Sequence, residues 1–463
     1  MSESPPPEPG WNTPCPPANR PATVRVNAAD KLGAFVRPEQ YNNRFGLADL
    51  LGPGDLAFLR GLRLRIVRVW GRPTADAEAL SRYDEYLRTS ADLADEMLMS
   101  VGGYEAVRDG ELGMDAYAGR VEQLLLDVKT RHPKLRYVEC LNEYRCADGS
   151  WDNPARFDEY FAYYRRFAEV IDELNARELP GPPLALGGPV TCDFHEADLA
   201  EFLDRVKQAG TRLDFVSYHQ YQYGRGFHGR PAVLGFEKQI VRGLLARRGL
   251  DANISIFITE HGVLPEGPQR EAADVEADAI VQAAAMPTAA LSYMNSGPGH
   301  PIPFQWVTRH GQNERKNQLA PGRDGMPTPY GNVLKMLSML KAERLAAACD
   351  ATDSGGLGVH VLATGDAAGL AVMVWNYQWV ARRDRYAVRL EVDSLDNAFR
   401  TAGFRVERFL VDAEHGNFRR TPESPQMAKV TEESMAPVGT YRTTFPLAVN
   451  AVSLLVLTPG DGA

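Results

Sequence analysis

Short apolar runs alternate with helical patterns between about residues 22 and 345, and this alternation restricts the possible folds more than any single motif. Eight of the runs have the length and composition of strands: Leu32–Val36, Ile66–Val69, Met97–Val101, Tyr137–Leu141, Leu184–Gly187, Asp214–Tyr218, Ile254–Thr259 and Pro303–Trp306. Their apolar residues follow one another without strict alternation, which is typical of strands buried on both faces of a parallel sheet.

Segments with helical spacing separate these runs. Asp152-Asn153-Pro154 is a typical helix start, because Asp or Asn caps a helix and Pro suits its first turn. From Phe157 to Ile171 apolar residues then recur at helical spacing. The other helical segments are Ala197–Gly210, Pro231–Gly249, Arg270–Ser292 and Tyr330–Leu340.

Eight strands that alternate with helices over about 320 residues predict an α/β fold of the (β/α)₈ type, the TIM barrel. A doubly wound open sheet is the alternative, although no Gly-rich phosphate loop follows the first strand. After about residue 345 the pattern changes to short β-type segments, separated by Gly, Asp and Asn turns: Gly358–Leu362, Gly369–Tyr377, Tyr386–Val392, Phe404–Asp412, Thr440–Phe445 and Ala451–Leu457. This series predicts a C-terminal antiparallel β-sandwich.

These patterns divide the chain into three parts. We expect a Pro-rich disordered tail over residues 1–21, a barrel over 22–345 and an accessory sandwich over 346–463. Residues 22–28 precede the first predicted barrel strand and are expected to pair with the sandwich, which would bring the two ends of the chain together.

Composition and charge exclude several classes of partner. The 463 residues carry a formal net charge of −9, and 44% of them are hydrophobic, as in an ordinary globular protein. A negative surface repels phosphate backbones and anionic lipid, so neither nucleic acid nor a membrane is an expected partner. The most apolar long stretch, Ala279–Met294, is interrupted by Gln282 and Pro287 and is too short to span a bilayer. The oligomeric state stays open.

The five cysteines include no CxxC pair, so they predict neither a disulfide framework nor a zinc site. No metal or other cofactor is expected. Residues 1–10 lack the basic and apolar regions of a signal peptide, and we therefore expect a cytoplasmic protein.

Ionisable and aromatic side chains follow the predicted barrel strands. The active site of a (β/α)₈ barrel lies at the carboxyl ends of its strands. The residues at those ends are Arg68 and Trp70 on strand two, Asn142 and Glu143 on strand four, His219 and Tyr221 on strand six, Glu260 and His261 on strand seven, and Gln305 and Trp306 on strand eight. A rim with a purely structural role would not need this collection.

Glu143 and Glu260 end strands on opposite sides of the predicted ring, so their side chains can face each other across it. Two carboxylates about 5–5.5 Å apart are what retaining glycoside hydrolysis requires. A nucleophile must stay ionised, and Arg68 with the Tyr221 hydroxyl could hold Glu260 in that form. An acid must carry a proton, which burial and the neighbouring charge of Glu260 would favour in Glu143.

With these residues the sequence resembles clan A glycoside hydrolases, and within that clan family 39, the group of β-xylosidases and α-L-iduronidases. The resemblance covers about residues 22–457 and includes an Asn-Glu pair after strand four and a Glu after strand seven. Three further stretches are similar to family motifs: Ala185–Val190, Asp214–Tyr221 and Asp324–Lys335. A trailing β-domain is also shared.

The resemblance implies a retaining glycosidase that acts on a carbohydrate through a covalent glycosyl-enzyme intermediate. It makes Glu143 the acid/base and Glu260 the nucleophile. The other implied roles are Asn142 on the sugar 2-hydroxyl, His219 in the sugar pocket, Tyr221 and Arg68 on the nucleophile, and Trp306 as a platform under the sugar ring.

Three departures from the family pattern lie beside the sugar subsite. Tyr144 stands where the family has Pro, His261 where it has Trp, and Trp70 within a strand-two motif that usually reads Arg-Phe-His-Gly. The sugar and linkage therefore stay open: Arg309 or Lys316 would suit an acidic sugar, whereas Trp70 would close a pentose pocket. Two alternatives also stay open, a carbohydrate-binding protein without catalysis and a metal-dependent hydrolase that uses His219, His261 and Glu260.

Overall fold

A computed structural model describes residues 19–44, 51–72, 77–144, 154–223, 234–264, 275–307, 317–320, 322–378 and 384–460 of the chain. Within these ranges the strands form two nine-stranded sheets, one parallel and one mostly antiparallel.

The parallel sheet forms the barrel. Its strands are β2 (Tyr41–Asn43), β3 (Leu64–Gly71), β4 (Ala94–Val101), β5 (Leu135–Cys140), β6 (Ala185–Thr191), β7 (Phe215–Tyr223), β8 (Ser255–Leu264), β9 (Ile302–Pro303) and β10 (Gln305–Trp306). Neighbours pair in parallel from β2 to β9, and β10 pairs with β2. Since β9 and β10 are two parts of one strand interrupted at Phe304, the sheet closes into a ring of eight strand positions. The predicted barrel is confirmed, and the open-sheet alternative is removed.

The first barrel strand is not the one that the sequence predicts. The prediction of Leu32–Val36 as that strand is wrong, because residues 32–34 end the long strand β1 (Asn19–Ala34) of the other sheet. Leu32 itself is 56% exposed. The actual first strand, β2, has three residues, and two of them are Asn42 and Asn43. A segment this short and polar has no apolar run by which it can be found.

The described helices are α1 (Pro53–Leu62), α2 (Ala77–Leu93), α3 (Glu105–Arg108), α4 (Met114–Arg131), α5 (Pro154–Asn175), α6 (Glu196–Ala209), α7 (Phe236–Arg247), α8 (Val275–Asn295), α9 (Pro329–Ser338) and α10 (Asn397–Thr401), with a 3₁₀ turn at Pro38–Gln40. The Ala-rich helix α8 packs against the second sheet, where the Trp375 indole donates a hydrogen bond to Thr288 Oγ1 at 2.7 Å. Across the described helices, none combines the length and the apolar character needed to cross a membrane.

The second sheet has the order β16-β15-β18-β13-β12-β11-β1-β14-β17. Besides β1, its strands are β11 (Glu343–Cys349), β12 (Gly358–Asp366), β13 (Gly369–Tyr377), β14 (Arg385–Asp393), β15 (Phe404–Val411), β16 (Ala428–Met435), β17 (Tyr441–Leu447) and β18 (Val452–Pro459). Apolar residues of β14 and β17 share one core with those of β12, β13 and β18, so the sheet folds over itself as a sandwich. Strands β11 and β16 are absent from the sequence prediction, and β16 is a largely exposed edge strand with charged residues.

Strand β1 joins the N-terminal part of the chain to this second sheet. Residues 19–27 pair in parallel with β14, and residues 24–34 pair antiparallel with β11. The strand begins at Asn19, inside the segment for which a disordered tail is expected.

The lower part of the barrel is filled by apolar side chains. They come from six strand positions: Tyr41, Ile66, Leu98, Phe215, Phe257 and Phe304. This layer forms an apolar floor, and the polar residues that follow along the same strands lie above it, at the carboxyl end.

The described cysteines lie outside this layer. Cys140 and Cys349 are free thiols, whereas Cys192 is disulfide-bonded.

Candidate active site

Strands β7 and β8 bring His219 and Glu260 side by side. Their register shifts between Tyr218 and His219, so that Ile258 pairs with Tyr218 and Glu260 pairs with His219. Thr259 is the extra residue in β8. Such a bulge changes which side chain points to a given face of the sheet. Here it turns Glu260 toward the inside of the barrel, beside His219.

Described residues donate to both carboxylate oxygens of Glu260. Arg68 Nη1 donates to Oε1 at 2.9 Å, and the Tyr221 hydroxyl donates to Oε2 at 2.7 Å. The indole of Trp306 donates in turn to the Tyr221 hydroxyl at 3.0 Å. The Glu260 side chain is 7% exposed. Donors to both oxygens favour the ionised form of a carboxylate.

Glu143 follows β5 and has a different environment. Its backbone has a φ of +47°, and its N–H donates to the Val190 carbonyl at 3.1 Å, which ties it to the end of β6. Its Oε1 lies 2.6 Å from His219 Nδ1, and the side chain is 32% exposed. Glu143 therefore faces the open mouth of the barrel, whereas Glu260 lies deeper.

The two glutamates meet around His219. One oxygen of each carboxylate and one ring nitrogen of His219 all lie within 4.8 Å of one another. His219 is fully buried, with Nε2 3.8 Å from Glu260 Oε1. Carboxyl groups of inverting glycosidases are separated by about 6.5–9.5 Å to leave room for a water. The oxygens of Glu143 and Glu260 lie closer together than that range, within 4.8 Å of each other.

Arg68 lies at the centre of the polar layer and is completely buried. Besides Glu260, it donates from Nε to Glu139 Oε2 at 2.8 Å and from Nη2 to Asn142 Oδ1 at 2.7 Å and Ser100 Oγ at 3.1 Å. Burial alone would lower the pKa of Arg68, but the charges of Glu139 and Glu260 outweigh it and raise that pKa above its ordinary value. The guanidinium therefore stays charged and fixes four side chains of the site at once.

Glu139 is a site residue that the sequence analysis does not single out. It lies on β5 and is 0% exposed. A signal for it exists in the sequence, because a charged residue in the apolar run Tyr137–Leu141 has to find a buried partner. The partner, Arg68, lies two strands away in the sheet and is not identifiable from the run itself.

The remaining predicted site residues are placed less centrally. Trp70 is half-buried, with its ring 4.9 Å from the Arg68 guanidinium carbon, and Trp306 is 1% exposed beneath Tyr221. His261 comes directly after Glu260 in β8, so strand alternation directs it away from the carboxylates. The side chain of Gln305 bonds to the Pro303 carbonyl and the Tyr330 hydroxyl of α9, away from the opposed glutamates. Arg309 and Lys316 lie outside the described residues.

Tyr144, the residue where the family pattern has Pro, anchors the segment that carries Glu143. Its ring is 2% exposed and packs against Tyr104, Tyr160 and Tyr163. Its hydroxyl donates to Glu159 Oε2 of α5 at 2.8 Å. Tyr144 therefore makes packing contacts behind the site, and its presence leaves the opposed carboxylates in place.

Fold and site together define a (β/α)₈ barrel with an accessory β-sandwich and two carboxylates opposed at the mouth of the barrel. Neither a protein-family model nor a curated protein matches the sequence.

Solved structures do match the fold over nearly the whole chain. A bacterial orthologue of human α-L-iduronidase is 16% identical with a TM-score of 0.74, over 96% of this chain and 85% of that one. A β-xylosidase from Caulobacter crescentus is 15% identical with a TM-score of 0.69, over 94% and 99%. A family 39 glycoside hydrolase from Xanthomonas axonopodis is 16% identical with a TM-score of 0.68, over 95% and 98%. The resemblance to family 39 is confirmed in the fold.

Proposed function

We propose that this protein is a retaining glycoside hydrolase that works by double displacement, with a carbohydrate as its substrate. The observation that carries the proposal is the close approach of Glu143 and Glu260, whose nearest oxygens lie within 4.8 Å. The fold shared with an iduronidase orthologue, a β-xylosidase and a family 39 enzyme supports it. The roles of the individual residues follow from how differently the two carboxylates are held.

Glu260 is the nucleophile. Arg68 and Tyr221 donate to its two oxygens and keep it ionised, and its burial removes competing water. In the first step a Glu260 oxygen bonds to the anomeric carbon while the glycosidic bond to the leaving oxygen breaks. In the second step water replaces Glu260 at that carbon, and the carboxylate is restored.

Glu143 is the acid/base. Its more exposed position lets it reach a leaving group that departs through the mouth of the barrel. It gives its proton to the leaving oxygen in the first step and takes a proton from the attacking water in the second. The contact between Oε1 and His219 Nδ1 fixes the carboxyl plane, so the other oxygen is directed to the substrate.

Asn142 is positioned to bind the sugar. Its Oδ1 accepts from Arg68 Nη2, which orients the amide and leaves the NH₂ group to donate. A hydrogen bond from that group to the sugar 2-hydroxyl would strengthen as the oxocarbenium-like transition state forms. The same arginine therefore orients both the nucleophile and a substrate-binding amide.

Kinetics on a panel of aryl glycosides test the proposal, with xylosides, glucosides, arabinofuranosides and iduronides included. We expect Glu260→Ala to lower kcat/KM roughly 10⁴-fold or more on every accepted substrate. Glu143→Ala should lose as much on poor leaving groups but regain much of its rate on an activated aryl glycoside, which needs no protonation. The anomeric configuration of the first product, read by NMR, should match that of the substrate.

The control is Glu39→Gln, which changes a buried glutamate before β2, at the amino end of the barrel, and should leave turnover unchanged. Inverted product, or full turnover by both alanine variants, would refute the mechanism. Sugar binding without any Glu260-dependent turnover would instead show a carbohydrate-binding protein.

A metal-dependent hydrolase is a second candidate, because Glu143, His219 and Glu260 present three possible ligand atoms within 4.8 Å of one another. His261, a ligand in the sequence-based version of this hypothesis, alternates with Glu260 and points away from the cluster. The test is turnover after exhaustive chelation, followed by readdition of Zn²⁺ or Mn²⁺. Activity that survives chelation and falls when metal is added would favour the metal-free mechanism.

A further inference from the structure

Glu139 is a fully buried carboxylate for which double displacement has no direct use. Its Oε2 accepts from Arg68 Nε at 2.8 Å, whereas its Oε1 has no hydrogen-bond partner among the described residues. Burying a carboxylate is costly, and leaving one oxygen unsatisfied adds to the cost. A neutral residue of similar shape would serve packing at least as well, so the charge itself needs an explanation.

The explanation lies in how Arg68 is shared. The planar guanidinium uses Nε for Glu139, Nη1 for Glu260 and Nη2 for Asn142. The bond at Nε fixes the rotation of the plane, and the other two donors then point to the nucleophile and the sugar-binding amide. One positive charge is divided between two carboxylates in a site from which water is largely excluded.

Other ionisable groups face the same carboxylates and set the background for any titration. Glu260 is faced by Arg68 from β3, by His219 and Tyr221 from β7, and by Glu143 after β5. On the side of α5, the charge of Glu139 is close enough to Tyr160 to contribute, after burial, to the raised pKa of that phenol. Arg68 hydrogen-bonds to both Glu139 and Glu260 and so links the two carboxylates.

We propose that Glu139 is a positioning residue for the nucleophile: by holding Arg68 Nε and taking part of its charge, it orients the guanidinium and keeps Glu260 from being over-stabilised as an anion. This inference rests on the proposed glycosidase function. A carboxylate held too strongly by a cation is a weaker nucleophile, and it ionises at a lower pH. Glu139 therefore sets both the attacking strength of Glu260 and the pH at which it becomes active.

Glu139→Gln isolates the charge, because the amide oxygen can still accept from Arg68 Nε. Without the second carboxylate, the whole charge of Arg68 acts on Glu260. We expect the acidic limb of kcat/KM against pH to move down by about one unit. At the pH optimum kcat should fall about tenfold while KM changes less than about threefold, because orientation and nucleophilicity act on the bond-forming step.

Glu39→Gln is the control for replacing a buried glutamate by glutamine elsewhere in the chain. Glu39 is also a fully buried glutamate that accepts one arginine hydrogen bond, from Arg37 at 3.3 Å, and it also has one oxygen without a partner among the described residues. It should leave the position of the acidic limb and the kcat unchanged. If Glu139→Gln does not fold, as judged by its melting transition, Glu139→Asp is measured instead; it keeps the charge and should keep the limb in place while kcat falls.

A folded Glu139→Gln whose profile superimposes on that of the wild type would overturn the inference, and so would a limb that moves upward. These results are distinct from failure of the proposed function. In that case the wild type itself shows no turnover of aryl glycosides that depends on Glu260, and no profile exists to shift.

Discussion

Replacing Tyr221 with Phe removes a donor to Glu260, the proposed nucleophile, and changes little else in shape. The hydroxyl donates to Glu260 Oε2 at 2.7 Å and accepts from the Trp306 indole at 3.0 Å. Arg68 still bonds to the other oxygen of Glu260 in the variant. The substitution therefore weakens the ionised state of Glu260 without removing its cation.

The size of the effect follows from the energy of that hydrogen bond. A hydrogen bond to a charged group contributes about 1.5–3 kcal/mol, and one pH unit corresponds to about 1.36 kcal/mol. The donor stabilises the ionised form, so its loss makes Glu260 ionise at a higher pH. We expect the acidic limb of kcat/KM to move up by about one to two units, the direction opposite to that of Glu139→Gln.

The assay is the pH profile of kcat/KM on an activated aryl glycoside, for which protonation by Glu143 matters least. At pH values below the acidic limb, kcat/KM of the variant should be roughly 10- to 150-fold lower than that of the wild type. The difference should be smaller on the plateau, where Glu260 is ionised in both proteins. Tyr330→Phe is the control, because it removes a buried hydroxyl that bonds to Gln305 on the helix side of the barrel wall. A folded Tyr221→Phe with an unmoved or lowered limb would falsify the assignment of Tyr221 to the nucleophile.

Two further predictions concern stability. Burial raises the pKa of Glu39 to about 7, against weaker opposing effects of a backbone hydrogen bond and of Arg37, so the ionised carboxylate costs stability as pH rises from about 4.5 to 7. The free energy of unfolding of Glu39→Gln should therefore increase relative to that of the wild type by roughly 2–3 kcal/mol between pH 5 and pH 8. A difference in unfolding midpoint that does not change with pH would contradict this. Thr288→Val removes the hydroxyl that accepts a hydrogen bond from the buried Trp375 indole, between α8 and the sandwich. We expect the free energy of unfolding, measured by chemical denaturation, to fall by about 1–3 kcal/mol. The control is Thr288→Ser, which keeps the hydroxyl and should lose much less stability.

Most of the barrel could be predicted because its strands are buried on both faces. Runs such as Met97–Val101 and Ile254–Thr259 are apolar for that reason, and the structure contains strands at both, β4 and β8. The prediction failed where an element has no such run. Strand β2 is short and polar, and Leu32–Val36 is apolar but ends a strand of the other sheet.

The candidate site divides in the same way. The sequence places Glu143 and Glu260 at the ends of apolar strands, and this local position was enough to single them out. It does not show that His219 lies between them, because that contact depends on a register shift between β7 and β8. Nor does it show which contacts Gln305 and His261 make, since these depend on which face of the strand each side chain takes.

The sequence by itself determined the strand and helix pattern, the barrel class and the positions of the two carboxylates, because each of these follows from the pattern of polar and apolar residues along the chain. The tertiary structure alone decided that Arg68 is divided between Glu139 and Glu260, and that Tyr221 and Trp306 support Glu260 from the other side. These residues are remote along the chain, and only closure of the barrel brings them within hydrogen-bond distance. The physical reason is that polarity is a property of each residue, whereas the sharing of a buried charge depends on the distances between side chains of different strands.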